Sequence, residues 1–137
     1  MNVLVVEPGV LPYEKEVRDE LEDLQAIVGG HIQAIYPFKD YVALVCNEDG
    51  IGEQLAFNRM IPERQYGGIF GTFFICGIKG ENFSSLTPEQ MQTYKKRFIK
   101  AEVILAVNHG TPIIARVDAL PKHPAGKPKR QQKPPGR

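Results

Sequence analysis

The sequence predicts an α+β fold, a single domain in which a mixed or antiparallel sheet is packed by two main helices, and three observations carry that prediction. Short runs rich in β-branched residues recur at positions 3–6, 41–46 and 103–107. Two other segments, 13–28 and 88–100, place their apolar residues at three- and four-residue steps. The chain, at 137 residues with 42% apolar and 24% charged, has the length and balance of one globular domain.

Val3-Leu4-Val5-Val6 reads as a buried strand, stopped by the turn Glu7-Pro8-Gly9. A helix is expected over residues 14–28, its stripe formed by Val17, Leu21, Leu24, Ile27 and Val28, with acids on its outer face and Gly29-Gly30 closing it. Residues 31–37 and 41–46 follow as two adjacent strands, the second ending in the turn Asn47-Glu48-Asp49-Gly50. Residues 51–66 admit two readings, a short helix over 53–61 before Pro62 or an irregular excursion carrying Asn58 and Arg59. Residues 67–78 read as one central strand, in which Gly71 lets other backbone come close. Thr87-Pro88-Glu89-Gln90 supplies an N-cap threonine, proline at the first helical position and a capping-box glutamine, so a second helix runs over 88–100 with Met91, Tyr94 and Phe98 inward. Strands near 103–107 and 112–117, joined through Asn108-His109-Gly110, make a terminal hairpin and complete the sheet.

The charges divide the chain. Residues 1–120 carry 11 Lys/Arg against 16 Asp/Glu, whereas residues 121–137 carry six basic residues, five prolines and no acid. The expected organisation is therefore a folded, acidic body over 1–120 and a disordered basic tail over 121–137. Lys127, Lys129, Arg130 and Lys133 in that tail are candidates for salt-sensitive, nonspecific attraction to nucleic acid, and with no interleaved aromatics they have no means of reading a sequence. No apolar run approaches the ~20 residues of a membrane span and the N-terminus has no signal-peptide pattern, so the expected setting is the cytoplasm, without a membrane. Cys46 and Cys76 sit in apolar segments and read as reduced, buried thiols, while His31, His109 and His123 lie apart from any ligand cluster. Neither a metal nor a cofactor is expected.

Several stretches taken together point to a family. Val3-Leu4-Val5-Val6-Glu7-Pro8-Gly9, Leu24-Gln25 through Val28-Gly29-Gly30, the strand at 32–36 with Pro37, Asn47-Glu48-Asp49-Gly50, Asn58-Arg59 and Gly71-Thr72-Phe73-Phe74-Ile75 occur in an order that resembles domain-of-unknown-function family 3846. The resemblance covers roughly residues 2–100; the terminal hairpin and tail depart from it. What it implies is context: small accessory domains carried by phages, plasmids and integrative conjugative elements, often beside antirestriction genes. It supplies no catalytic residues.

Two candidate surfaces follow. Glu7, Asn58, Arg59, Gly71 and Thr72 form a possible ligand site, in which Arg59 pairs with a phosphate and Asn58 with a base edge of a nucleotide-like molecule. The plain alternative is that Pro8-Gly9 is a turn, Gly71 serves packing and Arg59 is a surface charge. Glu16, Asp19, Glu20 and Asp23 form a possible docking face for a basic protein partner, against the alternative of a solvated helix face. The leading expectation is a non-enzymatic accessory protein of a phage or mobile element that inhibits or evades a bacterial defence system by binding a host defence protein. Its rivals are a sponge that sequesters a nucleotide immune signal and, behind that, an enzyme acting on such a nucleotide.

Overall fold

In the computed structural model, which describes residues 1–122, the chain is α+β. A five-strand antiparallel path runs in the order β2 (Tyr13–Glu16), β1 (Asn2–Val6), β7 (Phe73–Lys79), β4 (Val42–Asn47) and β3 (Ile32–Ile35), and short β8 (Asn82–Ser84) pairs with β7 beside it. Helix α1 (Leu21–Val28) covers one face of the sheet. Helix α2 (Pro88–Arg97) and the hairpin of β5 (Phe57–Ile61) and β6 (Gly67–Phe70) cover the other.

Because both faces are covered, β1, β4 and β7 are apolar runs rather than alternations. Leu4, Val6, Leu44, Phe73 and Ile75 point toward α2, where Met91, Tyr94 and Phe98 meet them. Val3, Val5, Val45, Phe74 and Cys76 point toward α1 and its Leu24 and Val28. The side-chain period of two thus sends neighbours Phe73 and Phe74 into separate cores. Phe73 meets the Phe98 ring edge-on at 5.3 Å between centroids. Helix α2 carries the expected capping box, with Thr87 accepting from the Gln90 N–H and the Gln90 side chain accepting from the Thr87 N–H.

Four expectations change. The helix over 14–28 is only α1, because residues 13–16 pair antiparallel with β1 as strand β2. Tyr13, Lys15 and Val17 alternate as well as they step helically, and pairing with the buried β1 decides between the two periods; Leu21, expected in the stripe, is exposed. Within 51–66 neither reading holds, since residues 57–61 form β5, paired with β6, and only Glu63–Gln65 makes a 3₁₀ turn. The expected single strand over 67–78 breaks at Gly71-Thr72 into β6 and β7, of which β7 is the central strand. Finally, β9 (Lys100–Asn108) and β10 (Thr111–Asp118) form the expected hairpin but stand apart from the main sheet as a two-stranded ribbon. The expectation of a disordered tail, with Lys127, Lys129, Arg130 and Lys133, lies outside the described residues apart from residues 121–122.

Phe73→Ala and Phe74→Ala are each expected to destabilise the fold by roughly 3–5 kcal/mol in urea denaturation, because each empties a fully buried site in its own core. Loss in only one of them would show that one face of the sheet is not a packed core.

Candidate functional site

Among the residues proposed for the ligand site, Asn58 and Arg59 are fully buried. Arg59 sits in the middle of β5, and its guanidinium reaches the three segments that meet there. Nη1 donates to Asn58 Oδ1 at 2.8 Å and, at a long 3.5 Å, to the Glu7 carbonyl; Nη2 donates to the carbonyls of Phe98 at 2.9 Å and Val10 at 3.3 Å. Phe98 follows the last turn of α2, so the cation also satisfies a helix-end carbonyl at the negative end of the helix dipole. Asn58 turns the other way, its amide donating to the Val6 and Gly71 carbonyls at 2.9 Å each. Together the pair ties the end of β1, the turn after it, the β6–β7 link and the end of α2 to β5.

Burial pushes the Arg59 pKa down, and the carboxylate of Glu102 partly offsets that. Glu102 is itself nearly buried at the base of β9, where it accepts the Met60 N–H at 2.9 Å. The role expected for Arg59, pairing with a ligand phosphate, gives way to a structural one, since both Nη atoms are turned onto carbonyls and Nε, which has no hydrogen-bond partner among the described residues, is buried with the rest of the side chain. Gly71 is likewise committed. Its φ of +91° is open to glycine, its N–H donates to the Ala56 carbonyl at 2.7 Å, and a Cβ there would lie 2.6 Å from a Leu55 methyl.

Glu7 and Thr72 have a different setting. Both line an open cleft of about 630 Å³ between the β1–β2 turn and α1, with Val5, Tyr13 and Ile27 as apolar wall and Lys15 and Arg18 at the rim. The Tyr13 hydroxyl donates to Glu7 Oε2, and Lys122 Nζ lies 2.7 Å from the same oxygen and above the Tyr13 ring. Burial alone would raise the Glu7 pKa; the hydrogen bonds from Lys122 and Tyr13 and the charge of Lys122 outweigh it and hold the carboxyl below its usual value. Tyr13 moves the other way, raised by burial and by the Glu7 carboxylate. Sequence reasoning missed Tyr13 and Lys122. Tyr13 was hidden by the expected helix, and Lys122 was counted with the tail, although Leu120 joins the body through its N–H to the Gly9 carbonyl and its carbonyl to the Leu11 N–H.

The four acids proposed for partner docking are not on one helix. Glu16 ends β2, Asp19 and Glu20 lie in the following turn, and Asp23 is in α1. Glu16, Asp19 and Glu20 are exposed and make no ion pair among the described residues. Asp23 instead accepts two hydrogen bonds from Arg18, at 2.7 and 3.1 Å, and this pairing lowers its pKa. The two thiols are buried on opposite faces of the sheet, and burial pushes Cys46 up to about 11 and Cys76 to about 12, so both are protonated and unreactive at neutral pH. Among the described residues no group of three or more His, Cys, Asp or Glu is placed to hold a metal ion, and no helix is long and apolar enough to cross a membrane.

Fold and site together define a small α+β domain whose antiparallel sheet is sandwiched between helices and braced on one side by a hairpin carrying a buried Asn-Arg clamp. The chain belongs to the family described as Domain of unknown function (DUF3846), whose model matches residues 1–99. Searches of curated proteins and of solved structures found no match.

Two outcomes test the clamp and the Glu7 contact. Arg59→Ala is expected to cost roughly 3–5 kcal/mol, and Arg59→Lys to restore little of it, because an ammonium cannot reproduce the forked donor geometry; equilibrium unfolding that leaves either variant at wild-type stability would remove the structural role. For Glu7 the folded pKa lies below the unfolded one, so the unfolded chain takes up the proton first as pH falls. Wild type should therefore exceed Glu7→Gln in stability at pH 7, and the difference should disappear as pH falls from the ordinary carboxylate range, ~4.3, through the folded pKa. A difference unchanged down to about pH 3 would show that the contact does not depend on the charge of Glu7.

Proposed function

We propose that this chain is a non-enzymatic, protein-binding accessory domain of a phage or mobile element, acting in the cytoplasm of a bacterial host, where it blocks a defence protein through a basic surface of that protein. The observation that carries the reading is the open edge of the sheet at β2. Met1 and Val17 exchange hydrogen bonds, with the Met1 amine donating to the Val17 carbonyl at 2.7 Å and the Val17 N–H to the Met1 carbonyl at 2.9 Å. Alternation along an antiparallel ladder then turns the backbone N–H and C=O groups of Glu14 and Glu16 outward. That edge leads directly into the turn carrying Asp19 and Glu20, so hydrogen-bonding backbone and negative charge without an ion-pair partner among the described residues lie side by side. An extended, basic segment of a partner fits such an edge by strand addition, with charge setting the rate and orientation of encounter.

A second reading, sequestration of a nucleotide signal, draws on the 630 Å³ cleft with Lys15 and Arg18 at its rim. Arg59 has no part in it. Calorimetric titration with mononucleotides and cyclic dinucleotides tests this directly: saturable heat with the ligand recovered unaltered supports it, and no heat removes it.

Reversal of Glu16, Asp19 and Glu20 to Lys tests the first reading. In a host challenged with phage that its own defence restricts, the wild-type chain should raise plaque counts and the triple variant should not, while its thermal midpoint stays within a few degrees of wild type because all three side chains are exposed. Equal protection by wild type and variant would exclude the acidic edge as the working surface.

A further inference from the structure

After β10 the chain turns back to the body. The Leu120 N–H donates to the Gly9 carbonyl at 2.9 Å and the Leu120 carbonyl accepts the Leu11 N–H at 2.8 Å, so that Val10 and Leu120 form a parallel bridge. Pro121 restricts the backbone at the next position, and Lys122 is presented from a segment held at Leu120. Its Nζ lies 2.7 Å from Glu7 Oε2 and 5.3 Å from the centre of the Tyr13 ring. A carboxylate beside an aromatic face receives a cation twice over, the first by charge and hydrogen bond, the second through the ring quadrupole.

Three features separate this contact from an ordinary surface ion pair. Its receptor is assembled by the body alone: the Tyr13 hydroxyl donates to Glu7 Oε2 and orients the carboxylate, and both residues lie within the family-matched residues 1–99, whereas Lys122 lies outside them. Its occupant is exchangeable. The Lys122 side chain is 45% exposed and that of Glu7 23%, and a pair open to water to this degree holds little stability against another cation. Finally, Glu7 has a second approach, because it lines the 630 Å³ cleft, whose walls do not include Lys122, and its Oε1 accepts no hydrogen bond among the described residues.

The cleft selects what can approach there. Val5, Val17 and Ile27 supply an apolar wall and Glu7 a negative charge, a combination that fits the methylenes and terminal ammonium of a lysine. A phosphate at Glu7 would meet a like charge, and Arg18 at the rim is committed to Asp23 by two hydrogen bonds. The β2 edge provides the route. Tyr13 and Val17 pack into the core on the α1 side, and a strand added along β2 sends every second side chain to that same face. We infer that Glu7 and Tyr13 form a binding site for a primary alkylammonium, the lysine side chain of a strand docked on β2, and that Lys122 occupies this site in cis until the partner's lysine replaces it. The inference rests on the docking reading of β2 for its partner and on the Glu7–Tyr13 geometry for its site.

Magnetic-resonance titration of the full chain tests both parts. In every arm Lys127, Lys129, Arg130, Lys133 and Arg137 are changed to Gln, so that no other cation of the tail replaces Lys122. n-Butylammonium, which copies the lysine side chain, should shift the Glu7, Tyr13 and Thr72 amides saturably. Lys122→Ala should bind it about tenfold more tightly, as follows when the cis cation holds the site about nine-tenths of the time. n-Butanol should leave those amides unmoved, and adding Glu7→Gln should abolish the response; if that variant fails to fold, the comparison with and without Lys122 decides alone. A capped Val-Lys-Val-Lys-Val peptide should move the Glu14 and Glu16 amides as well. Equal affinity with and without Lys122, or an equal response to n-butanol, would overturn the site. Butylammonium binding without peptide binding would overturn the strand-borne lysine alone, which separates a failure of the docking edge from a failure of the site.

Discussion

The fold depends on one buried cation. Taking a guanidinium out of water is costly, and the protein offsets that cost with three backbone carbonyls, one side-chain carbonyl and the nearby Glu102 carboxylate. The three backbone acceptors belong to two segments, the turn after β1 and the end of α2. Arg59 thus gathers carbonyls from both segments into a single junction. Asn58 extends the junction to the β6–β7 link, and the whole of it except Glu102 and its support lies within the family-matched residues 1–99.

The elements most legible in the sequence were those decided locally. The α2 cap at Thr87 and Gln90 is chemistry among four neighbouring residues, and the buried runs of β1 and β4 needed no knowledge of their partners. Residues 13–16 were misread because Glu-Lys-Glu favours a helix and only pairing with β1 makes it a strand. β5 was missed for the same kind of reason: its central residues, Asn58 and Arg59, are polar, and nothing nearby in sequence shows that carbonyls of Val6, Val10 and Phe98 gather around them. Of the expected group Glu7, Asn58, Arg59, Gly71 and Thr72, hydrogen bonds bring Asn58, Arg59, the Gly71 carbonyl and the Glu7 carbonyl together, while the Glu7 carboxylate and Thr72 line the cleft instead. Their chemistry differed from the expectation because the Arg59 donors are turned toward backbone.

The surface divides along the same boundary. The β2 edge, with Glu16 and the following Asp19 and Glu20, belongs to the body whose two cores are closed by residue 98. The β9–β10 ribbon joins that body through Ala101 and through Glu102, whose carboxylate holds the Met60 N–H. Beyond those two residues its apolar side chains are largely exposed. Exposed acids thus gather after β2 and exposed apolar side chains on the ribbon.

Nitrogen-15 NMR of the Arg59 side chain tests that junction most directly. A guanidinium fixed by carbonyls on both Nη atoms should give separate Nη–H resonances at low temperature, slow to exchange with water and unmoved by pyrophosphate or nucleotides. A single averaged, rapidly exchanging signal, or one that shifts on adding those anions, would mean that Arg59 faces solvent and a ligand, and that the fold is held together by something else.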